Sequence, residues 1–225
     1  VLLTPFITCL ENDNLSARIL SWVKDGGTWI TGPLTDIRTA AHSKYTESAT
    51  GITEKAADVT IQFTTPAYDP NDPAYVEIGL NYSGASVKAE QLCFDALMPG
   101  KTAETLMTYE NESYFDGYSA VTQTQYGKGK IVVLGCLPAE AALVALTKNL
   151  CAEKNILPVC EASRNLSVIE RTGKAGTVYA VIETEYKKGL FVCPCKVHDR
   201  LSGKDYEEGE NAEVAPYEVM LLEKI

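Results

Sequence analysis

The stretch YGKGKIVVLGCLP, residues 126–138, decides the fold. Two glycines, Gly127 and Gly129, precede an aliphatic run, and Cys136 follows it. Three interpretations are open: a phosphate-binding glycine loop, a cysteine nucleophile on a strand-to-helix turn, or a turn that leads into a buried strand. The three differ in the order of glycines and in the neighbours that they require.

The order of the glycines disfavours a phosphate loop. Dinucleotide-binding loops place their glycines after a strand and before a helix, so that the helix N-terminus faces the pyrophosphate. Here both glycines precede the strand, and the sequence has no G-x-x-x-x-G-K-[ST] motif. A tight turn is favoured, because glycine readily adopts the positive φ that such turns need.

Cys136 is a weak candidate for a nucleophile. A nucleophile turn needs small residues two positions away on both sides, whereas Leu134 and Pro138 occupy those positions. A thiol nucleophile also needs a base, and His42 and His198 are the two histidines of the chain. We therefore favour a structural cysteine, and an active amidotransferase-like enzyme with Cys136 as nucleophile stays as an alternative.

The beginning of the chain indicates a parallel sheet. Residues 1–7, VLLTPFI, predict a buried strand, and residues 12–27 predict a helix with N-cap candidates at Asn12 to Asn14. Residues 28–33, TWITGP, predict a second strand. A strand, a helix and a strand with short connections are typical of a βαβ unit.

The middle of the chain has weaker periodicity. Turn clusters such as TPAYDPNDPAY dominate residues 35–84, so an irregular region at one end of the sheet is expected there, with short strand-like pieces at VTIQF and YVEIG. Strands are predicted at ETLMTYE, YSAVTQTQ and KIVVLG, and residues 138–154 predict a helix with Pro138 near its first turn.

From about residue 158 onward, alternating runs are separated by glycine turns. This spacing predicts a small antiparallel β domain. We expect two domains, residues 1–157 with an α/β fold and residues 158–225 with a β fold.

The composition limits the partners. The formal net charge is -10 and the charged residues form no basic cluster, so nucleic acid and anionic membranes are poor partners. The seven cysteines are scattered without a CxxC pair, which predicts reduced thiols in a cytoplasmic protein and no metal site or other cofactor. Since the chain opens on a strand without an initiator Met, we expect an excised fragment or a processed chain.

An acidic segment, YENESYFDGY, gathers Glu110, Glu112 and Asp116 among aromatic residues. Paired carboxylates can hydrolyse glycosides. A solvated connector between two strands is the commoner use of such a segment, and we favour it.

Two longer passages resemble a known family. LSWVKDGGTWITGPLTDIR, residues 20–38, is similar to the helix–Gly-Gly–strand passage in the middle domain of glycoside hydrolase family 42 β-galactosidases. Residues 93–135, from CFDALMPG to KIVVLG, resemble the later half of the same domain, with Ala-Glu-x-Leu-x-x-Tyr followed by Tyr-Gly-x-Gly. The final segment, APYEVMLLEKI, is similar to the C-terminal β domain of that family.

The resemblance implies a class I glutamine-amidotransferase-like (flavodoxin-like) fold that has lost its amidotransferase chemistry and serves trimerisation. In the family, hydrolysis of terminal β-D-galactosides with retention belongs to an N-terminal (β/α)₈ barrel with two catalytic Glu residues. That barrel is absent from this chain, so neither Glu can be assigned to any position here, and the resemblance implies that the middle domain is truncated at its N-terminus. The implied partners are further copies of the chain, as a homotrimer, and the missing barrel.

Our first hypothesis is therefore a non-catalytic oligomerisation part of a β-galactosidase, with no catalytic residue of its own. Aromatic residues are enriched in interfaces, although core burial is their commoner fate. The candidates for subunit or inter-domain contact are Trp22, Trp29, Tyr109, Tyr114, Phe115 and Tyr118. The alternative is a carbohydrate-binding module that uses the aromatic cluster from Tyr109 to Tyr118, which requires exposed, coplanar rings.

Overall fold

The fold is described from a computed structural model, which covers residues 1–66, 78–90, 93–110 and 113–225. The chain divides into two compact units, Val1–Lys154 and Asn155–Ile225, and each is described by itself. Both units are rich in β-structure, and the described helices lie in the first, so the chain is a sheet-rich mixed α/β protein.

The first unit contains one large sheet with a few helices around it. Its strands are β1 Leu2–Thr4, β2 Thr28–Thr31, β3 Val59–Pro66, β4 Gly79–Tyr82, β5 Ala85–Glu90, β6 Cys93–Pro99, β7 Ala103–Glu110, β8 Ser119–Tyr126, β9 Gly129–Leu134 and β10 Leu137–Pro138. Its α-helices are α1 Leu15–Lys24, α2 Thr53–Ala57 and α3 Glu140–Ala152, and short 3₁₀ turns cover Asn12–Asn14 and Ser113–Phe115.

The sheet combines a parallel and an antiparallel part. The strands follow the order β1-β2-β9-β8-β7-β4-β5-β10, and β6 pairs with β8 and β3 beside this path. The pairs β1–β2 and β2–β9 are parallel, as the βαβ pattern predicts, whereas β9 pairs antiparallel with β8. Strand β9 is therefore the junction between the two parts.

Strand β9 is buried on both faces. Its side chains alternate between two hydrophobic clusters. Ile131 and Val133 pack with residues of α1 in the first cluster. Val132 and Leu134 belong to the second cluster. That second cluster includes Leu146 of α3. The helices α1 and α3 thus cover opposite faces of the sheet, which explains why the sequence of β9 is a continuous aliphatic run.

The opening glycines form the turn between β8 and β9. Tyr126 pairs with Gly129 across a hairpin, and Gly127 adopts φ +63° at its tip. A Cβ atom on Gly127 would lie 2.7 Å from the backbone oxygen of Lys24 at the end of α1. The turn interpretation is confirmed, and the glycines also allow α1 to pack closely against this hairpin.

The predicted helices differ from the observed helices at their ends. Asn14 precedes α1 in a left-handed conformation and makes no side-chain cap hydrogen bond. Pro138 was predicted inside the first turn of α3, but it pairs with Ala89 in the short strand β10, and α3 begins only at Glu140. Proline is tolerated there because β10 is an edge strand, where a missing N–H breaks no ladder.

The predicted irregular region contains regular structure. Helix α2 and strand β3 lie within it, and β3 pairs with β6 over nearly its whole length. Residues 85–90 and 93–99, without a strand prediction, form β5 and β6. Most of TPAYDPNDPAY and the first three residues of YVEIG lie outside the described residues.

The second unit is an antiparallel β structure, as the glycine-separated alternation predicts. Its strands are β11 Leu166–Gly173, β12 Gly176–Glu183, β13 Gly189–Val192, β14 Val197–Asp199, β15 Asp205–Tyr206, β16 Asn211–Val214 and β17 Val219–Lys224. Five of them form the sheet β11-β12-β17-β14-β15, and β13 pairs with β16. Their inward side chains, among them Val181, Phe191 and Leu222, form one core.

Candidate functional site

Cys136 is fully buried just after β9. Burial is the largest cause that raises the pKa of its thiol far above the usual range, Asp95 and Cys93 raise it further, and only a hydrogen bond with Tyr109 acts in the opposite direction. A catalytic thiol needs a lowered pKa and access to substrate. The environment of Cys136 provides neither, so the structural role fits better.

The two histidines lie in different surroundings. His42 is exposed in the loop after β2, and Nδ1 of His198 lies 2.6 Å from Oδ1 of Asp205 in the second unit. Within the described residues, no group of three or more His, Cys, Asp or Glu side chains is arranged to hold a metal ion.

The predicted aromatic cluster packs as part of the core. Phe115 is only 1% exposed, and its ring lies 4.2 Å from that of Tyr109 and 4.7 Å from that of Tyr114. The hydroxyl of Tyr109 donates to the backbone oxygen of Asp95 at 2.8 Å, and the ring of Tyr118 meets Phe63 edge-on. The rings contact one another at an angle instead of forming an exposed flat platform, which disfavours a carbohydrate-binding module at this place.

The two tryptophans have opposite environments. Trp29 of β2 is fully buried, and its indole N–H donates to Oγ1 of Thr4 at 2.7 Å. Trp22 on α1 is 40% exposed and lies over Gly27, where a Cβ atom would come within 2.5 Å of the ring. Among the six interface candidates, Trp22 and Tyr114 are exposed, Tyr109 and Tyr118 are half-buried, and Trp29 and Phe115 are enclosed in the unit's own core.

The acidic segment does not form a catalytic pair in the described residues. Glu110 accepts hydrogen bonds from Ser86 Oγ at 2.7 Å and from Asn81 Nδ2 at 2.9 Å, and these bonds lower its pKa. A general acid at neutral pH needs a raised pKa instead. Asp116 is exposed, and Glu112 lies outside the described residues.

A different site lies beyond the carboxyl ends of the parallel strands. Three non-glycine residues there, Phe6, Leu34 and Asp36, have φ values of 60–66°. Such left-handed conformations are costly and persist only where the surroundings enforce them. The carboxyl edge of parallel strands is also the usual ligand position in open α/β sheets.

Asp36 holds the loops of this edge together. Its buried carboxylate accepts the N–H of Ile52 at 2.6 Å and lies 3.2 Å from the hydroxyl of Tyr45, and its backbone N–H donates to Ile7. Burial raises the pKa of Asp36, and the bonds from Ile52 and Tyr45 partly offset this. The loop after β2 is therefore fixed against the segment that precedes α2.

A cavity of about 290 Å³ opens between this loop and the strands β3 and β6. Asp95 of β6 lines it and is only 4% exposed, and its Oδ1 accepts the hydroxyl of Thr64 at 2.5 Å. Burial raises the pKa of Asp95 to about 6, the Thr64 bond lowers it, and the charge of Glu54 adds a smaller rise. Arg38, Lys44 and Tyr45 stand on the loop side of the same cavity.

Asp95 should make the stability of the protein fall as pH rises. Because the pKa of Asp95 in the folded state, about 6, exceeds its usual value of 3.8, the folded protein holds the proton more tightly than the unfolded protein. Its contribution is favourable below about pH 4 and is lost as the pH rises through about 6. We expect Asp95→Asn to raise the free energy of unfolding by about 2 kcal/mol at pH 7 and by much less at pH 4.

Urea denaturation of both proteins at the two pH values measures this difference. The control is Asp58→Asn, since Thr102 lowers the pKa of Asp58 through hydrogen bonds and the effect of that substitution should have the opposite sign. A destabilised Asp95→Asn variant at pH 7 would contradict the expected cost of the buried charge.

The second unit presents an exposed pair of aromatic rings. Tyr186 and Tyr217 are 65% and 70% exposed, their ring centroids lie 4.7 Å apart, and both residues have left-handed backbones. The buried carboxylate of Glu183 accepts the backbone N–H groups of both tyrosines, at 3.0 Å and 2.8 Å. The Glu183 carboxylate thus fixes both the turn that contains Tyr186 and the turn that contains Tyr217.

In the part of the chain that the structure describes, no helix has the length and apolar character needed to cross a membrane.

Comparison with known families identifies the first unit. The family described as beta-galactosidase trimerisation domain matches residues 1–157. The chain belongs to this family. The match covers the whole of β1 to α3, including the hairpin at Gly127 and the strand β9.

Curated relatives agree with this assignment. The chain is 29% identical to beta-galactosidase YesZ of Bacillus subtilis and 28% identical to the protein of the same name from Bacillus licheniformis, over 99% of its own length in both cases. It covers 33% of each relative. The chain therefore spans about a third of the length of the curated relatives that it matches.

Solved structures have the same fold. A beta-galactosidase from Bacillus circulans sp. alkalophilus superposes with a TM-score of 0.84 at 20% identity, over 99% of this chain and 32% of the other. The beta-galactosidase from the haloarchaeon Halorubrum lacusprofundi gives a TM-score of 0.72 at 19% identity, over 98% of this chain and 30% of the other. The superposed regions of these two structures thus include both units of this chain.

The sequence interpretation missed Asp95 and Glu183. Each carried a visible signal, since Asp95 interrupts the apolar run CFDALM and Glu183 directly follows the apolar run VYAVI. Charged residues are rarely buried without a specific partner, so such an interruption marks a position to examine.

Proposed function

We propose that this chain is the oligomerisation and scaffold part of a larger β-galactosidase, without hydrolytic residues of its own. Residues 1–157 would form the trimerisation domain and residues 158–225 the small C-terminal β domain. The observation that carries the proposal is the family match over residues 1–157 in a chain that covers only 33% of its relatives.

The whole protein would hydrolyse terminal β-D-galactosides, because the relatives are named as β-galactosidases. The two catalytic Glu residues would belong to a barrel outside this chain, held ~5 Å apart as retaining glycosidases require. The galactoside substrate would be bound for hydrolysis only by that larger enzyme.

The finer fold assignment, a class I glutamine-amidotransferase-like domain, is part of the proposal. The parallel strands β1, β2 and β9 support it, as does the position of Cys136 directly after β9. The burial of Cys136 and its raised pKa are consistent with a scaffold that has lost amidotransferase chemistry.

The proposed partners are two further copies of the chain and the catalytic barrel. A net charge of -10 argues against binding to nucleic acid or to anionic membranes. A cytoplasmic location is supported by seven cysteines that are all unpaired, since disulfides are rare in reducing compartments.

Trp22 is the best candidate for the subunit contact. Its ring is exposed although it is large and apolar, and Gly27 beneath it fixes its position. Tyr114 is exposed to the same degree, and its ring lies against that of the buried Phe115. A large, rigid aromatic side chain at the surface is the type of residue that dominates interface energies.

Sedimentation equilibrium of the chain tests this proposal. We expect a mass of three times 24.5 kDa at high concentration, with dissociation on dilution. A mass of 24.5 kDa at every concentration would contradict self-association of this chain.

Variants then test the proposed contact. Trp22→Ser should weaken association by at least about tenfold, because removing an interface tryptophan commonly costs more than 1 kcal/mol. Met98→Ser is the matched control, since Met98 is an apolar residue of the same unit with similar exposure, 45% against 40%. Equal association of both variants would exclude Trp22 from the interface.

A further inference from the structure

The cavity beside Asp95 contains two polar groups that lack partners. Asp95 uses Oδ1 for Thr64, and its Oδ2 accepts no hydrogen bond from the described residues. This oxygen is not among the fully buried side-chain atoms without a partner, so it is open to the cavity. The half-buried guanidinium of Arg38 likewise makes no ion pair or hydrogen bond within the described part of the chain. Both side chains line the same cavity of about 290 Å³.

This arrangement requires an explanation. One carboxylate oxygen of Asp95 and the half-buried guanidinium of Arg38 have no protein partner in the described residues, so only water or a ligand in the cavity can satisfy them. The two do not pair with each other, although they line one cavity. The strained backbone of Leu34 and Asp36 holds the Arg38 side of the cavity in place, which is a feature typical of ligand sites.

The walls define what would fit between them. A ligand has to donate a hydrogen bond to Oδ2 of Asp95 and to accept hydrogen bonds from Arg38 and from Lys44 at the rim. It also meets an apolar surface formed by Leu34, Ile37 and Ile61. The ligand therefore needs groups that act as both donor and acceptor on a compact frame with apolar C–H faces.

We propose that this cavity binds a monosaccharide in its pyranose form. Sugar hydroxyls donate to a carboxylate and accept from guanidinium and ammonium groups, and the C–H face of the ring suits the aliphatic wall. The identity of the sugar as galactose rests on the proposed function of the whole protein, since galactose is the product that such an enzyme releases.

Other ligand classes satisfy the cavity less well. A small inorganic anion would satisfy Arg38 but would be repelled by Asp95. An apolar ligand would leave both polar groups unpaired in a desolvated site, which is the costlier outcome. A divalent cation would have one carboxylate ligand and two basic neighbours, which hard cations do not accept.

Isothermal titration of the full chain with D-galactose tests the proposal. We expect a Kd of about 1 mM, the range that a ligand of this size reaches with a few hydrogen bonds. Asp95→Asn should weaken binding at least about tenfold, because Asn offers only one acceptor oxygen and Thr64 already occupies it. Arg38→Met should weaken binding similarly and leaves no partner unsatisfied, so folding is preserved.

The control is Asp58→Asn, an exposed carboxylate that also bonds a threonine but lies outside this cavity. It should bind galactose as the original chain does. Absence of galactose binding by the original chain would overturn the proposal, and so would unchanged binding by Asp95→Asn and Arg38→Met. Displacement of bound galactose by inorganic phosphate at a similar concentration would also overturn it, because a small anion would then be the better ligand. Since the mass of the assembly is measured separately, a failed titration with a trimeric mass rejects the cavity proposal alone.

Discussion

Replacing Gly129 by alanine should destabilise the first unit more than any other small substitution in the part of the chain that the structure describes. A Cβ atom at this position would overlap the backbone oxygens of Gly27 and Val23, well inside van der Waals contact. Backbone carbonyls at the end of α1 cannot move away as a flexible side chain can, so β9 or α1 has to shift. Because β9 is the junction of the sheet, we expect a loss of about 3 kcal/mol in the free energy of unfolding.

Chemical denaturation followed by circular dichroism measures this loss. Gly173→Ala is the matched control, since its backbone is not left-handed and a Cβ atom there meets no atom within 4 Å. It should change stability by less than about 0.5 kcal/mol. Equal stability of the two variants would show that α1 does not approach the β8–β9 hairpin as closely as described.

The second large effect is expected at Glu183. Its carboxylate accepts four backbone N–H groups, from Glu185, Tyr186, Lys187 and Tyr217, and Asn165 donates a fifth hydrogen bond. Glutamine keeps the shape but replaces one acceptor oxygen by a donor, which would face N–H groups. We expect Glu183→Gln to lower the Tm of the second unit by at least about 5 °C and to release the turns that carry Tyr186 and Tyr217.

The pH dependence identifies the cause. Burial by itself would raise the pKa of Glu183, but the hydrogen bonds, led by the one from Tyr217, outweigh it and lower the pKa to about 2. With a folded value below the usual 4.5, the stabilisation is complete above about pH 4.5 and is lost as the pH falls toward 2. The difference between the two proteins should therefore shrink over this range.

Differential scanning calorimetry at several pH values follows this change. Glu185→Gln is the control, because Glu185 forms an exposed ion pair with Lys187 at 3.0 Å, and such pairs contribute little. If the Tm of Glu183→Gln stayed level with that of the control at neutral pH, the anchoring role of Glu183 would be wrong.

Local patterns were sufficient to predict several elements of this fold. The aliphatic run of β9, the periodicity of α1 and the glycine turn at Gly127 each depend on residues that are close in sequence. The same holds for the antiparallel second unit, where hairpins such as β11–β12 pair neighbouring segments. In these cases the residues that determine the structure lie within one window.

Long-range pairing explains what could not be predicted. Strand β5 is short and polar, and it becomes a strand because β4 and β10 pair with it from both sides. Pro138 was predicted in a helix because proline favours a first helical turn, yet the pairing with Ala89 overrides that preference. Neither partner is recognisable from the local sequence.

The same limit applies to the site. Asp95 and Arg38 are far apart in sequence, and their convergence on one cavity depends on the pairing of β3 with β6 and on the loop that Asp36 fixes. The aromatic cluster shows the opposite case, since its residues are close in sequence but serve the core. Residue type alone does not distinguish a core aromatic such as Phe115 from a surface aromatic such as Trp22, whereas the burial of each side chain does.

The position of β9 has a consequence for the order of folding. Thr28 pairs with Lys130, so the parallel ladder between β2 and β9 closes a loop of roughly a hundred residues, whereas Gly173 and Gly176 meet across a single turn. Closing the long loop costs entropy before any native contact compensates it, so the hairpins of the second unit gain their contacts first. In a growing polypeptide, the parallel core stays incomplete until the ribosome has released β9, and the hydrophobic faces of β1 and β2 depend on that late strand for cover.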